Sequence, residues 1–290
     1  NSAGHQRVAA GGKDGYLHII DRRSHQLIAK TAVTTVDEPA PVPTPEGVEA
    51  CPGPAGGVEW NGPAFDPAQH RLFVGSLDYC ALFMSEPGTK PAIGGLNMGG
   101  TWTGIGTPRG WIYAIDAETG AVAWRFHADH PVLGGLTPTA GGVLFGGDNS
   151  GSFFVFNSAS GEMLKKIETG GSLSGGVITY QHNARQYVAM TSGNVSRTLF
   201  GAAGRPSIVI MALPEAMVTA ARNDKSPDPA RGQSLYLESC SVCHGANGSQ
   251  WNKVDLKSVK LKMTLDELVD FIKQPRQPMP KVFASPLSSE

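Results

Sequence analysis

Two cysteines and a histidine near the C-terminal end form the strongest chemical pattern in the sequence. Cys240 and Cys243 stand three residues apart, and His244 follows directly. This is the spacing of c-type haem attachment, in which both thiols bond to the haem and the adjoining imidazole binds its iron. A zinc site would need further cysteine or histidine ligands, and residues 245–290 contain neither. The sequence therefore predicts covalent haem c at Cys240 and Cys243, with His244 as an axial iron ligand.

The residues around this motif predict two helices and a sixth iron ligand. Residues 231–239 read as a helix that ends at the attachment site. Thr264 begins a second helix, because Glu267 three residues later completes a capping box. Met279 lies between two prolines that disfavour helix, and it is the predicted sixth ligand, with Met263 as the alternative. A thioether opposite histidine raises the haem potential, which suits an electron acceptor.

The composition of the chain changes near its last quarter. Residues 1–220 contain 34 of the 37 glycines and carry a net charge of -3, whereas residues 221–290 contain 3 glycines and carry +2. A polar stretch with prolines, typical of a linker, lies at the change. We therefore predict one domain over 1–215, a linker over 216–229 and a second domain over 230–290.

The overall charge and hydropathy exclude several classes of protein. The 290 residues include 24 Lys+Arg and 25 Asp+Glu, a balance that argues against nucleic acid as a partner. No stretch approaches the roughly 18 to 20 apolar residues of a transmembrane helix, so no transmembrane segment is predicted. The chain starts at Asn1 without an initiator Met or a signal peptide. We therefore expect a processed or missing N-terminus.

Short apolar runs bounded by turn residues repeat along the first domain and predict an all-β fold. In three of them a turn glycine precedes an Asp or Asn by six residues, at Asp21, Asp116 and Asn157. The separations are 95 and 41 residues, and the longer one is close to two propeller blades of roughly 40 to 50 residues each. We expect four or five blades, with Arg71–Gly75 in the unit between the first two copies. The glycine-rich stretch 94–106 is predicted to be a surface loop.

The clearest copy of the repeat is Ala114–Trp124, with the sequence Ala-Ile-Asp-Ala-Glu-Thr-Gly-Ala-Val-Ala-Trp. It resembles the tryptophan-docking motif of the pyrroloquinoline quinone (PQQ) dependent dehydrogenases, in which the tryptophan of one blade packs on the next. A simple hairpin turn is the alternative for a single copy, and three copies in register favour the repeat. The resemblance implies a partial all-β propeller, about four or five blades of an eight-bladed type, followed by a small all-α cytochrome c domain. The N-terminal blades and the last cytochrome helix are expected to be absent.

The same resemblance implies where PQQ binds. Lys13 matches a basic residue that contacts the quinone oxygens, although a solvated turn lysine is equally compatible with the sequence. Trp60 and Asn61 lie in a stretch similar to one where the family has Asn-Trp near the cofactor, but here Glu59 precedes the tryptophan. The family's catalytic aspartate and its Ca²⁺ ligands lie upstream of the segment that matches Lys13. No catalytic residue or calcium ligand is therefore assigned in this chain.

Cys51 and Cys80 are the cysteines outside the haem motif. Covalent haem attachment takes place outside the cytoplasm, in a compartment where thiols oxidise. We therefore expect a disulfide between them, which closes a loop of about 30 residues and stabilises the fold by roughly 3 kcal/mol. Two buried free thiols are the alternative. The same argument predicts a periplasmic protein.

The resemblance and the haem motif together predict an oxidoreductase. PQQ takes electrons from an alcohol or a similar small-molecule substrate, and the haem passes them on singly. The downstream acceptor is expected to be a cytochrome, a copper protein or a quinone. A non-catalytic propeller scaffold that carries an electron-transfer cytochrome c is the alternative, because a fold does not fix a function. A hydrolase has no supporting Ser/His/Asp pattern.

Overall fold

The computed structural model of the protein describes residues 6–88, 90, 94, 99–183, 185–193, 204–213, 229–248, 256 and 263–273. The chain divides into two compact units, Asn1–Ala212 and Leu213–Glu290. Among the described residues, the first unit is built of β-strands and the second contains α-helices. The predicted all-β character of the first unit is confirmed over its described part.

The strands of the first unit form four antiparallel sheets that follow one another along the chain. Sheet 1 contains, in order across the sheet, β1 (Arg7–Gly11), β2 (Tyr16–Asp21) and β3 (Leu27–Ala32). Sheet 2 contains β4 (Val48–Ala50), β6 (Arg71–Ser85), β7 (Gly100–Asp116) and β8 (Val122–Ala128), with β5 (Ala64–Asp66) also paired to β6. Sheet 3 contains β12 (Met163–Glu168), β11 (Ser152–Asn157), β10 (Val143–Gly147) and β9 (Thr137–Pro138). Sheet 4 contains β13 (Val177–His182), β14 (Arg185–Ser192) and β15 (Ser207–Ala212).

Apolar side chains fill the space between each sheet and the next. Sheet 2 contributes to two of these layers, because successive residues of a strand point to opposite faces. Leu72 and Val74 pack against sheet 1, whereas Phe73 between them packs against sheet 3. A third layer, around Phe153 and Met190, lies between sheets 3 and 4. The sheets therefore stack face to face in chain order, as the predicted propeller arrangement requires.

The three copies of the repeat found in the sequence share one turn geometry, and the same geometry occurs a fourth time at Asp66, which accepts from the N–H groups of Ala68 and Gln69 and is followed by His70 with φ 53°. In each copy the side-chain oxygen of Asp21, Asp116 or Asn157 accepts hydrogen bonds from the backbone N–H groups two and three residues on, at 2.8 to 3.1 Å. The residue four positions on has a positive φ in every copy: His25 (59°), Gly120 (74°) and Gly161 (75°). An Asx turn followed by a left-handed residue is a favoured way to close a hairpin.

These turns are also the points at which neighbouring sheets contact each other. Trp124 of β8 donates a hydrogen bond from Nε1 to the carbonyl oxygen of Ser158 at 2.9 Å. Its ring covers Gly161, where an added Cβ would lie 2.7 to 2.9 Å from ring atoms. In sheet 1 the equivalent position is Ala29, whose Cβ would collide with a side chain on Gly120. In each of these two sheets, one side chain thus packs against the turn glycine of the next sheet.

The long separation between the first two copies of the repeat does not come from an intervening sheet. Arg71 at the start of β6 lies opposite Asp116 at the end of β7. Arg71–Gly75 therefore belongs to the same sheet as Asp116, and the prediction of a separate unit there is wrong. The extra length lies in residues 33–63, which link sheets 1 and 2, and in the outer half of the long β6–β7 hairpin.

The glycine-rich stretch 94–106 was expected to be a loop, and that expectation is wrong for its second half. Gly100–Gly106 belongs to β7 and pairs with the outer part of β6. Gly104 is needed there, because the ring of Tyr79 occupies the place of a Cβ. Pairing with an extended neighbour strand thus overrides the low strand preference of glycine.

A disulfide joins Cys51, just after β4, to Cys80 in β6 and confirms the predicted pairing. It ties the segment that links sheets 1 and 2 to the outer half of the β6–β7 hairpin. Asp78 supports the same region, since it accepts hydrogen bonds from Trp111 Nε1 at 2.8 Å and from the Thr35 hydroxyl at 3.0 Å. Burial raises the pKa of Asp78, but these hydrogen bonds outweigh it and hold the pKa below its usual value.

The described part of the second unit contains three helices, α1 (Pro229–Ser239), α2 (Ser241–His244) and α3 (Leu265–Lys273). The predicted capping box at the start of α3 is confirmed. The Thr264 N–H donates to the Glu267 carboxylate at 2.7 Å, and the Glu267 N–H donates to Thr264 Oγ1 at 3.3 Å. The backbone hydrogen bond lowers the pKa of Glu267, and the Thr264 hydroxyl adds to the effect. Among the described helices, none combines the length and apolar character needed to cross a bilayer.

Replacing Gly161 by alanine tests the contact between Trp124 and the turn of sheet 3. Gly142 is a matched control, because its φ is also +75° and nothing lies within 4 Å of an added Cβ. Gly142→Ala should cost about 1 kcal/mol of unfolding free energy through backbone strain alone. Gly161→Ala should cost about 1 to 3 kcal/mol more, since the indole must move. Urea unfolding measures both variants, and equal losses would contradict the docking role of Trp124.

Candidate functional site

One end of the first unit gathers the turns and linking segments that carry the predicted cofactor residues. Three backbone hydrogen bonds at this end each join a turn within a sheet to a segment that links two sheets. Val58 in a linking segment donates to the Gly12 carbonyl oxygen at 3.0 Å, whereas Asn149 and Gly193 in turns donate to the carbonyl oxygens of Pro131 at 2.8 Å and Ser172 at 3.0 Å. The Asx turns lie at the opposite end, because the strands alternate in direction. We call the end that carries Lys13 the Lys13 face.

Lys13 lies in the turn between β1 and β2. Its ammonium forms an ion pair with the Glu59 carboxylate and donates a hydrogen bond to the Pro54 carbonyl oxygen at 3.2 Å. The Lys13 side chain is 53% exposed, whereas that of Glu59 is only 13% exposed. The predicted quinone lysine is therefore accessible to a ligand, but it is held by an internal carboxylate.

Trp60 and Asn61 follow Glu59 on the same face and differ in their surroundings. Trp60 is 61% exposed, and its Nε1 donates to the Ser174 carbonyl oxygen at 3.1 Å. This bond connects the segment between sheets 1 and 2 to the segment between sheets 3 and 4. Asn61 donates from Nδ2 to the Gly75 carbonyl oxygen at 3.0 Å. Its Oδ1 is buried and has no hydrogen-bond partner among the described residues.

The types of these side chains fit a planar, anionic aromatic cofactor such as PQQ. An exposed indole offers a face for stacking, and an ammonium group binds anionic oxygens. The negative charge of Glu59 is the feature that does not favour an anion. The described residues hold no group of three or more His, Cys, Asp or Glu side chains that could bind a metal ion.

The haem motif lies where α1 passes into α2. The Cys240 N–H bonds to the Tyr236 carbonyl oxygen at 2.8 Å and the His244 N–H to the Cys240 carbonyl oxygen at 2.9 Å, so the chain is helical across the motif. Cys240 and His244 are thus one helical turn apart and share a face. The Tyr236 hydroxyl donates to the Gly245 carbonyl oxygen at 2.7 Å and braces the end of the motif. Desolvation raises the pKa of Tyr236, and the charge on the Cys240 sulfur adds to this.

The imidazole of His244 carries an unsatisfied polar atom. Its Nδ1 is buried and has no hydrogen-bond partner within the part of the chain that the structure describes. His244 lies one helical turn from Cys240, so a single group could bind to both residues. Cys243 lies in α2. Met279 lies outside the described residues, and its competitor Met263 is partly buried just before α3.

Sequence reasoning missed the partner of Lys13. Glu59 was visible as a departure before Trp60, but no periodicity connects it to a lysine 46 positions away. Ser174, which accepts from Trp60 across 114 positions, was missed for the same reason. Both contacts depend on how the linking segments cross the Lys13 face, and the sequence carries no local signal of that crossing.

Comparisons with known proteins agree on one group of relatives. The chain is 24% identical over 275 residues to the quinohemoprotein alcohol dehydrogenase ADH IIB of Pseudomonas putida, which covers 80% of the chain and 40% of the relative. It is 29% identical over 203 residues to the lanthanide-dependent methanol dehydrogenase of Methylacidiphilum fumariolicum strain SolV, covering 62% of the chain and 33% of the relative. No model of a known protein family matches the chain.

Solved structures point the same way. A europium-containing methanol dehydrogenase superposes with a TM-score of 0.55 at 26% identity, over 62% of this chain and 35% of the other. The quinohemoprotein alcohol dehydrogenase of Comamonas testosteroni has a TM-score of 0.60 at 20% identity, over 83% and 42% of the two chains. The chain thus spans about two fifths or less of the relatives it matches. The proteins that it resembles are enzymes, namely quinohaemoprotein alcohol dehydrogenases and other quinoprotein dehydrogenases, and the chain matches less than half of the length of each.

Proposed function

We propose that this chain is part of a periplasmic quinohaemoprotein that oxidises an alcohol or a similar small-molecule substrate. The β-sheet unit would bind PQQ for the oxidation of the substrate, and the C-terminal unit would bind a c-type haem covalently for electron transfer to a downstream acceptor. The observation that carries the proposal is the haem motif, with Cys240 and His244 on one helical face, in a chain whose homologues are quinohaemoprotein dehydrogenases.

The proposal gives each residue of the Lys13 face a role. Bound PQQ supplies an electrophilic quinone that takes two electrons from the substrate. Lys13 would hold an anionic oxygen of the cofactor and stabilise negative charge that develops there. Trp60 would support the cofactor ring, because its indole is exposed and is fixed through its Nε1. Asn61 has a buried Oδ1 that can accept one further hydrogen bond.

The C-terminal unit would form a small cytochrome c domain over residues 230–290. Cys240 and Cys243 would hold the haem covalently, and His244 and Met279 would bind its iron. The haem supplies one-electron transfer to a cytochrome, a copper protein or a quinone. No residue of this chain is assigned as a Ca²⁺ ligand or as the general base of the reaction.

Removing the two motif cysteines should abolish covalent haem. After expression with cytochrome c maturation, the wild-type protein should keep its haem in a denaturing gel. Cys240→Ser combined with Cys243→Ser should lose it, because no thioether bond can form. Cys51→Ser with Cys80→Ser is the matched control and should retain the haem. Haem that stays bound under denaturing conditions in the first double variant would refute the attachment site.

Replacing Met279 should lower the reduction potential of the haem. A thioether ligand raises the potential, so Met279→Ala should lower it by on the order of 0.1 V. Met263→Ala is the control and should leave the potential unchanged. Potentiometric titration followed by the haem spectrum measures both. The opposite pattern would assign the sixth ligand to Met263.

Alcohol-dependent reduction of the haem tests the function as a whole. In the full-length protein, adding an alcohol should reduce the haem only when PQQ and Ca²⁺ are both present. Omitting either one should abolish the spectral change, because electrons reach the haem through the quinone. A normal c-type spectrum that no alcohol, aldehyde or related substrate changes would instead support a non-catalytic scaffold that carries a cytochrome.

A further inference from the structure

The ion pair between Lys13 and Glu59 is built into the Lys13 face rather than formed by two free surface side chains. Val58 donates its N–H to the Gly12 carbonyl oxygen at 3.0 Å, so the residues before the two charges are joined by the backbone. Gly57, with φ +87°, lies so close to this turn that an added Cβ would be 2.8 to 2.9 Å from the carbonyl oxygens of Lys13 and Gly12. The backbone contacts between the segment that carries Glu59 and the turn that carries Lys13 therefore hold the two side chains next to each other.

The two charged side chains of the pair differ in their exposure to solvent. Glu59 is mostly buried, and Lys13 is its ionic partner. Lys13 is half exposed, so a ligand can approach its ammonium from solvent. Glu59 therefore neutralises the charge of Lys13, the cation that the β1–β2 turn contributes to the proposed cofactor site. An incoming anion at Lys13 must share the ammonium with Glu59 and also tolerate the negative charge beside it.

We propose that Glu59 is an internal counter-ion of Lys13 that sets, and lowers, the affinity of this face for an anionic quinone. The inference rests on the proposed function, in which Lys13 binds PQQ. Glu59 thus determines affinity and acts through Lys13 without binding the cofactor itself.

The isosteric variant Glu59→Gln separates charge from position. Glutamine keeps a side-chain oxygen that can accept from the Lys13 ammonium, and it removes the negative charge. The wild type and the variant are compared as full-length proteins with Ca²⁺ by titrating PQQ and following tryptophan fluorescence. Glu162→Gln is the matched control, because Glu162 is an exposed carboxylate in the turn at the opposite end of the unit.

Glu59→Gln should bind PQQ about five- to tenfold more tightly than the wild type at low ionic strength, and Glu162→Gln should not differ from it. The gain should shrink in about 0.5 M salt, since screening weakens an exposed charge interaction. Lys13→Gln should bind PQQ more weakly, and in that background the gain from Glu59→Gln should be smaller, as expected for residues that act as a pair. Thermal melting establishes that each variant is folded. If Glu59→Gln does not fold, Glu59→Asn removes the same charge and takes its place in the test.

Three results would overturn the inference. Equal or weaker PQQ binding by folded Glu59→Gln would show that the carboxylate does not oppose the cofactor. A gain in the Lys13→Gln background that equals or exceeds the gain in the wild-type background would show that Glu59 does not act through the lysine. Absence of PQQ binding by every protein, including the wild type, would overturn the proposed function itself, and the inference would fall with it.

Discussion

Burial of apolar residues on both faces of sheets 2 and 3 is the constraint on which the rest of the structure depends. Sheet 2 shows it most clearly, because Leu72 and Phe73 are adjacent in sequence and pack into different layers. A sheet of this kind needs a partner on either side, so the sheets stack in chain order. The stacking in turn brings Trp124 onto Gly161 and aligns the linking segments at one end.

That alignment creates a functional surface from residues that are distant in sequence. Lys13, Glu59 and Ser174 come from one turn and two linking segments, and the contacts at this face join residues 46 and 114 positions apart. The backbone hydrogen bond between Val58 and Gly12 holds these two segments together independently of the ion pair between their side chains. The Lys13 face therefore depends on the stacking of several sheets, and a single sheet could not form it.

Features that depend on short sequence patterns could be predicted, whereas features that depend on contacts between distant residues could not. The capping box at Thr264 is short and depends on fixed residue types, so it was predicted correctly. The disulfide between Cys51 and Cys80 followed from the cysteine count and the haem motif. The paired strand over Gly100–Gly106 was missed, because its conformation is imposed by β6 and opposes the preference of glycine. The partner of Lys13 was missed because charge pairing across linking segments has no period.

A crystal structure of the full-length protein with PQQ and Ca²⁺ bound tests the central claim most directly. The account predicts quinone density against the exposed ring of Trp60, with a cofactor oxygen within hydrogen-bond distance of Lys13 Nζ. It also predicts that Glu59 stays beside this lysine and makes no contact with the cofactor. Quinone density remote from Lys13 and Trp60 would contradict the assignment of this face as the cofactor site.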